Sequence, residues 1–464
     1  MNDSVASTGG TPLSFRSRIL KASGWTLFGH AGTQFLRLVS NLIMTRLLLP
    51  QAFGIMALAN VLLTALQLIS DIGLSQGVIQ SRRGANPEYL NTAWTAQILR
   101  GALIWAAALL IAAGLKTADV FHLLTPGTTY AEPQLPALIA GISFNGLLGG
   151  WVSTKVASAN RNLALGRVSL IDVYCQLIAI AVMVPWALLS PTAWALVGGS
   201  IVSSIARVAL SHTFVPGERN RLHWDWDSFR EIFTFGKWIF VTSILGFLAS
   251  NGDRLVLGGL VDAKTLGVYV IAAFMVTAVV QIFYRITSNV AFPAFSEVVR
   301  QNPQDLRRRY YQFRVPMDIS SLFLTGFLYS AGHLLVHVLY NHRYDQAGYM
   351  LQILSISLFE VRFELVNSCM LALGKPRLLG PVIGIQAAVM FVFLPPIYHA
   401  FGIRAALWVI AAAALCRMLA TIFIKISHGL FDLRRELLFL PVLPVGYIAG
   451  TGLDALAQAA GLFR

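Results

Sequence analysis

The chain has 464 residues, of which 56% are hydrophobic and 12% charged, with a formal net charge of +14 at pH 7. Soluble domains average about 25% charged and about 45–50% apolar residues, so depletion of charge over the whole length excludes a soluble enzyme with one anchor. Three cysteines, Cys175, Cys369 and Cys416, sit in apolar stretches without a CxxC, which excludes a disulfide framework and a cysteine zinc site.

Residues 1–22 form a polar tail carrying Arg16, Arg18 and Lys21. No short apolar segment with a cleavage site follows, so the first span is expected to be its own insertion signal. A bilayer span needs about 20 mostly apolar residues. Thirteen such stretches are predicted, at 23–48, 52–79, 92–115, 135–158, 165–188, 191–213, 236–260, 266–293, 315–340, 348–372, 378–398, 403–424 and 437–460. The fold class is therefore all-α, a polytopic membrane protein. Short connections such as Leu49-Pro50-Gln51 and Val261 to Thr265 force antiparallel hairpins.

With the N-terminus taken as cytoplasmic, the tail and inner loops hold 22 Lys and Arg, including Arg82-Arg83, Arg307-Arg308-Arg309 and Arg434-Arg435. The outer side holds six: Arg46, Lys116, Lys264, Arg343, Arg404 and Arg464. The positive-inside rule then fixes the orientation, and it accounts for the basic balance without a nucleic-acid partner. Pro441 and Pro444 interrupt the last span, so the side of the C-terminus is not fixed.

The chain repeats itself at an offset of 213 residues. Trp25, Leu42, Leu47, Gly54, Ala59, Thr64, Ala65, Ile69 and Ser75 recur as Trp238, Leu255, Leu260, Gly267, Ala272, Thr277, Ala278, Ile282 and Ser288. Six spans separate the copies, so both halves enter the bilayer the same way. Such halves are related by an axis along the membrane normal, as in transporters that rock two bundles around a central site. The predicted organisation is a tail at 1–22, a six-helix bundle at 23–214 and a cytoplasmic, interfacial linker at 215–235. A second six-helix bundle follows at 236–425, then a basic inner loop and extra span at 426–464.

An ionisable side chain at the bilayer centre costs roughly 2.5–3.5 kcal/mol on insertion scales. Seven arginines lie inside the spans: Arg37, Arg100, Arg207, Arg254, Arg285, Arg362 and Arg417. Arg207 and Arg417 stand near inner ends and can snorkel. Arg37 stands near the middle of its span. His30, Gln34, Arg37, Asn41 and Thr45 share one helix face with it, by their spacing of three and four. Asn60, Thr64, Gln67, Asp71 and Ser75 repeat the stripe on span 2, and Thr277, Gln281, Arg285 and Ser288 on span 8. These stripes predict a watery cavity, against the competing reading of hydrogen bonding inside a dry bundle.

Among carboxylates, Asp71 is expected to pair with Arg37, Asp253 precedes Arg254, and Glu360 and Glu364 stand one turn apart. Two partly buried acids raise each other's pKa, which suits proton coupling; a structural cation such as Arg362 is the alternative. Asp225-Trp226-Asp227 looks like a sugar-transferase DxD, but its tryptophan neighbours favour an interfacial anchor. His333 and His337 share a face with His342 nearby, yet no carboxylate motif or cysteine accompanies them. No metal is predicted. No Walker motif, GxSxG or HExxH appears, so neither an enzyme nor catalytic residues are expected.

Several runs resemble Wzx-type lipid-linked oligosaccharide flippases. They are Leu49-Pro50-Gln51-Ala52-Phe53-Gly54, Asp71-Ile72-Gly73-Leu74, Asp253-Arg254-Leu255-Val256-Leu257-Gly258, Phe292-Pro293-Ala294-Phe295-Ser296 and Leu373-Gly374-Lys375-Pro376-Arg377. That family belongs to the multidrug/oligosaccharidyl-lipid/polysaccharide exporter superfamily. The resemblance implies two bundles around a cation-lined cavity in the bacterial inner membrane. It also implies a substrate, an undecaprenyl-diphosphate-linked repeat unit for exopolysaccharide or O-antigen assembly, and polymerase or export machinery as partners. The diphosphate would seek Arg37, Arg254, Arg285 and Arg100, while Gln34, Asn41 and Gln67 would meet sugar hydroxyls. No cofactor is expected, and the coupling ion, proton or sodium, stays open. A drug or organic-cation antiporter of the same superfamily is the first alternative, although its cavity should be acidic. An integral-membrane glycosyltransferase or ligase is the second, and it would want larger outer loops than these.

Overall fold

The computed structural model describes residues 32–71, 74, 78, 81, 83–161 and 165–460, without the side chains of 165 and 234–242. The predicted tail 1–22, His30 and Ser75 lie outside the described residues. All regular structure within them is helical. Eight helices are long and apolar enough to cross a bilayer, or nine if one bent pair counts as a span, among the described residues. The protein is thus a multi-pass membrane protein.

Helix α1 spans 32–47, and Pro50 opens α2 (Pro50–Ile69) directly after a two-residue break. Proline fits a first helical position because its missing N–H would have no partner there. Next come α3 (Pro87–Val120), α4 (Leu135–Gly150), α5 (Lys155–Arg161), α6 (Leu165–Leu189) and α7 (Trp194–Thr213). The predicted fourth span, 135–158, breaks instead at Gly150 and turns by 63° into α5.

The second half opens with α8 (Trp226–Gly258), which begins well before the predicted 236. Helix α9 (Ala263–Ile286) runs through a π-helical turn, Thr287–Ala291, into α10 (Phe292–Gln301). Pro293 lacks an N–H to continue the regular ladder, and wider turns of this kind recur at functional sites. Helix α11 (Leu306–Leu339) follows. The predicted tenth span, 348–372, is three pieces: α12 (Ala347–Ser355), α13 (Leu358–Val361) and α14 (Glu364–Ala372). The predicted eleventh and twelfth spans are the two arms of α15 (Leu379–Ser427), which break at Gly402, where φ is 76° and ψ −170°. The last described elements are α16 (Leu433–Leu437) and α17 (Val442–Ala459), which together form one of the eight candidate spans where 437–460 was expected.

The 213-residue offset governs this architecture. The 3-10 turn Thr129–Ala131 has its counterpart in His342–Tyr344, each pair of limits 213 apart. Leu189, the end of α6, corresponds to the Gly402 kink at the same offset. Gly54 and Gly267 face each other: a Cβ on Gly54 would collide with the Ala263 carbonyl, and one on Gly267 with that of Pro50. Pro50 and Ala263 are themselves 213 apart, so the contact is its own mirror. The two halves therefore meet about a near two-fold relation at the hairpin breaks.

That hairpin end is where the halves are joined. Thr129 donates to the Val261 carbonyl from N–H and hydroxyl, both at 2.9 Å. Reciprocally, Tyr344 donates to the Leu48 carbonyl at 3.2 Å. Tyr130 reaches the Leu255 carbonyl at 3.2 Å, and Tyr340 reaches Asn41 Oδ1 at 3.4 Å. Around them Leu48, Phe53, Leu266, Tyr269, Tyr344 and Ala347 share one buried core. At the opposite, arginine-rich end the first half meets the start of α8, where the Ser81 hydroxyl donates to Glu231 at 2.6 Å and Ile232 packs against Tyr89, Leu90 and Ala93.

Helix α17 rides on α11 through small residues. A Cβ on Gly326 would meet the Leu443 backbone, and one on Gly446 or Gly450 would meet Phe323 or Ser330. Gly446 and Gly450 make a GxxxG step, which lets two helix backbones approach closely in a bilayer.

Candidate functional site

Three arginines on the predicted cavity face stand at graded depths. At about 1.5 Å per residue, Arg254 lies about 10 Å along its helix from Val261 and Arg37 about 17 Å from Leu48. Arg285 lies about 33 Å from Ala263, next to the π-helical turn. Arg37 is exposed, while Arg254 and Arg285 are half-buried. Among the described residues, no carboxylate lies within ion-pair reach of any of the three. Arg254 makes a long contact, 3.4 Å, from Nη1 to Asn251 Oδ1. The Nε atoms of Arg254 and Arg285 are buried without a hydrogen-bond partner. Buried N–H groups left unmatched carry a desolvation cost of about 1–3 kcal/mol, more when charged. An incoming anion would remove that cost.

Arg100 is placed differently. Its Nη2 donates to the Gln67 carbonyl at 2.6 Å, and its Nε donates to Ser70 Oγ at 3.1 Å. Nη1 lies 3.9 Å from Asp71. Arg100 thus closes the end of α2, whose last carbonyls have no helical donor. Asp71 stands beside Arg100 rather than beside the expected Arg37. The side chains of Gln34, Asn41 and Gln67 are half-buried, and of these Asn41 meets Tyr340 from the other half.

The remaining carboxylates resolve into pairs. Arg417 bridges Glu360 at 2.5 Å and Glu364 at 3.7 Å. The cation between the two acids is therefore Arg417, and Arg362 turns elsewhere. Arg207, expected to snorkel, pairs with Asp172. Asp253 accepts from the buried Tyr269 hydroxyl through Oδ2, while its Oδ1 is buried without a partner.

A buried charge network at the arginine-rich end was not foreseen. Arg314, at 1% exposure, donates from Nε to both oxygens of Asp318 at 3.1 and 2.9 Å. Its Nη1 donates to Tyr310 at 3.1 Å and to Glu436 at 2.6 Å. Arg362 stands 3.5 Å from Asp318 and 3.6 Å from Glu436. Lys425 pairs with Glu436, and the Tyr311 hydroxyl donates to the same carboxylate at 3.0 Å. Its ammonium also sits 4.5 Å over the Tyr310 ring. Three cations and two acids thus tie α11, the α13–α14 break, α15 and α16 together. Arg314 and Asp318, four apart on one helix, were the available signal; Glu436 arrives from a segment that sequence places in a loop.

Asp225-Trp226-Asp227 is a helix start. Asp225 accepts from the Ser228 hydroxyl at 2.6 Å and the Ser228 N–H at 3.0 Å. The Ser228 hydroxyl, more than any other group, holds the Asp225 carboxyl below the usual carboxylate range. Trp224 and Trp226 pack edge to face, with Phe229 against both.

The family described as "Polysaccharide biosynthesis protein" matches residues 43–348. The chain belongs to that family. It is 23% identical over 301 residues to the lipopolysaccharide biosynthesis protein WzxC of Escherichia coli (strain K12), covering 65% of this chain. The match spans 58% of that relative's length. A putative O-antigen transporter of Shigella flexneri is 21% identical over 381 residues, 78% of this chain and 86% of the relative. This member of the polysaccharide biosynthesis family also shares its fold with the lipid II flippase MurJ in an inward closed conformation. The TM-score is 0.68 at 10% identity, over 94% of this chain and 93% of that one. The names of the last two proteins describe transport rather than catalysis.

Proposed function

We propose that this family member is a flippase of the bacterial inner membrane, oriented with its N-terminus in the cytoplasm. Its substrate is an oligosaccharide repeat unit on undecaprenyl diphosphate, destined for exopolysaccharide or O-antigen assembly. The observation that carries the proposal is the set of carboxylate-free arginines, Arg37, Arg254 and Arg285, graded in depth along three helices. Guanidinium is a planar donor fork that binds the oxygens of a diphosphate bidentately. Stations at successive depths suit its passage. Gln34, Asn41 and Gln67 offer hydrogen bonds to sugar hydroxyls, and the polyprenyl tail stays in lipid beside the halves.

Alternating access is supported by the hydrogen bonds gathered at the hairpin end, which is the periplasmic end in this orientation. Breaking them while the arginine-rich end closes would expose the cavity to the other side. Asp253, with one unmatched oxygen, is assigned the coupling role for a proton. An organic-cation antiporter would want carboxylates where these arginines stand, and the reading places it second.

The test is complementation of a strain deleted for the gene, with lipid-linked sugars assayed by leaflet. Deletion should trap complete repeat units on the inner leaflet. Arg37→Ala and Arg285→Ala proteins, present at normal level in the membrane, should leave them trapped. Full restoration of polymer export by both variants would overturn the assignment, as would accumulation of truncated units in the deletion.

A further inference from the structure

Away from the cavity, the fold builds a constellation that the sequence scatters over nine positions. His337 lies in the last turn of α11, His342 opens the following 3-10 turn, and Asp345 ends it. Asp345 stands between the two imidazoles. One oxygen is 3.6 Å from His337 Nδ1, and the other is 3.3 Å from His342 Nδ1. The two rings lie 4.9 Å apart, edge to face. The three donor atoms all fall within 4.8 Å of one another.

Two further facts separate this from a chance surface pairing. Asp345 Oδ1 is buried and accepts no hydrogen bond. The carboxylate does not cap α12 either, because the Gly348 N–H bonds to the Asp345 backbone carbonyl at 3.0 Å. The close approach of α12 to α11 at Gly348, whose Cβ would stand 2.9 Å from His333 Cα, brings the Asp345 turn against the face that carries His337. A carboxylate oxygen withheld from water and from donors, beside two imidazole nitrogens, is a site short of a cation.

We propose that His337, His342 and Asp345 bind one divalent transition-metal ion, zinc foremost, at the hairpin end. Metal–ligand bonds of about 2.0–2.1 Å in a tetrahedral set place ligand atoms about 3.3–3.4 Å apart. The His337 and His342 nitrogens stand 3.6 and 3.3 Å from different oxygens of Asp345, and one donor atom from each residue falls within 4.8 Å of the others, so an ion would draw the three together by about an ångström onto that edge, with water as the fourth ligand. Imidazole donors select zinc and its neighbours over calcium or magnesium, which prefer all-oxygen shells. The consequence is mechanical. The segment between His337 and Asp345 carries Tyr340 and Tyr344, which cross to Asn41 and Leu48 of the first half. A bound ion would pin that segment and strengthen closure of the hairpin end.

The experiment uses the full-length protein in detergent, free of any polyhistidine tag, titrated with Zn2+ by calorimetry and with Co2+ by visible absorption. Wild type should bind one ion per chain, with the Co2+ spectrum of a four-coordinate site, and Zn2+ should raise its Tm. His337→Ala and Asp345→Asn should weaken binding by at least about tenfold, since even outer-shell partners cost that much. Both should also lose the Tm increment, with unchanged circular dichroism. His333→Ala, one turn back on the same helix, should bind as wild type does. Absence of a stoichiometric site in wild type, or equal affinity in Asp345→Asn, overturns the proposal.

Discussion

Glu436 is the point where the C-terminal charge network is most vulnerable. It pairs with Arg314, Arg362 and Lys425, accepts from Tyr311, and is itself buried. Glu436→Gln keeps the shape and removes the charge. The cluster then holds three buried cations against Asp318 alone, so its net charge rises from one to two. Stripping one partner from a buried ion pair costs about 3–5 kcal/mol, because the remaining charge is stranded away from water. Against a total stability of about 5–15 kcal/mol, that is a large share. The assay is the fraction of detergent-solubilised protein that stays monodisperse after heating, read as Tm. Glu436→Gln should lower Tm by several degrees. Adding Lys425→Met restores the original charge balance and fills the space over Tyr310 and Tyr311, so it should recover most of the loss. An unchanged Tm in the single variant, or a double variant worse than the single, would refute the charge-balance argument.

The near two-fold contact makes a paired prediction. Gly54→Ala and Gly267→Ala each drive a methyl into the other half's backbone, so each should cost at least about 1–3 kcal/mol. Similar Tm losses in the two are expected, and tolerance of one beside collapse of the other would break the symmetry. Along the α11–α17 seam, Gly446→Leu should pry α17 loose and raise proteolysis after residue 430, with the helices before it intact. Unaltered cleavage kinetics would show that close approach at Gly446 is not what seats α17.

Part of the candidate site was legible in the chain. Arg37 and Arg285 stand out because a guanidinium in an apolar run has no cheap reason to be there, and the polar stripes gave their helix faces. Partners were not legible. Asp71 sits beside Arg100 because α2 ends where α3 passes, and Arg417 lies between Glu360 and Glu364 because α15 packs on the broken tenth span. Helix faces follow from local spacing, whereas ion pairs between distant segments follow from how helices cross.

The sequence by itself determined the all-helical membrane class and the repeat at 213, because hydropathy and periodicity are local properties; it did not set the helix limits, since α8 begins ten residues early and the tenth span breaks into three. Tertiary structure alone decided that Gly54 meets Gly267, that Glu436 neutralises Arg314 and Lys425, and that Asp345 comes to rest between His337 and His342. Each of those contacts joins groups across a turn or between helices, where chain spacing carries no distance information until the backbone is folded.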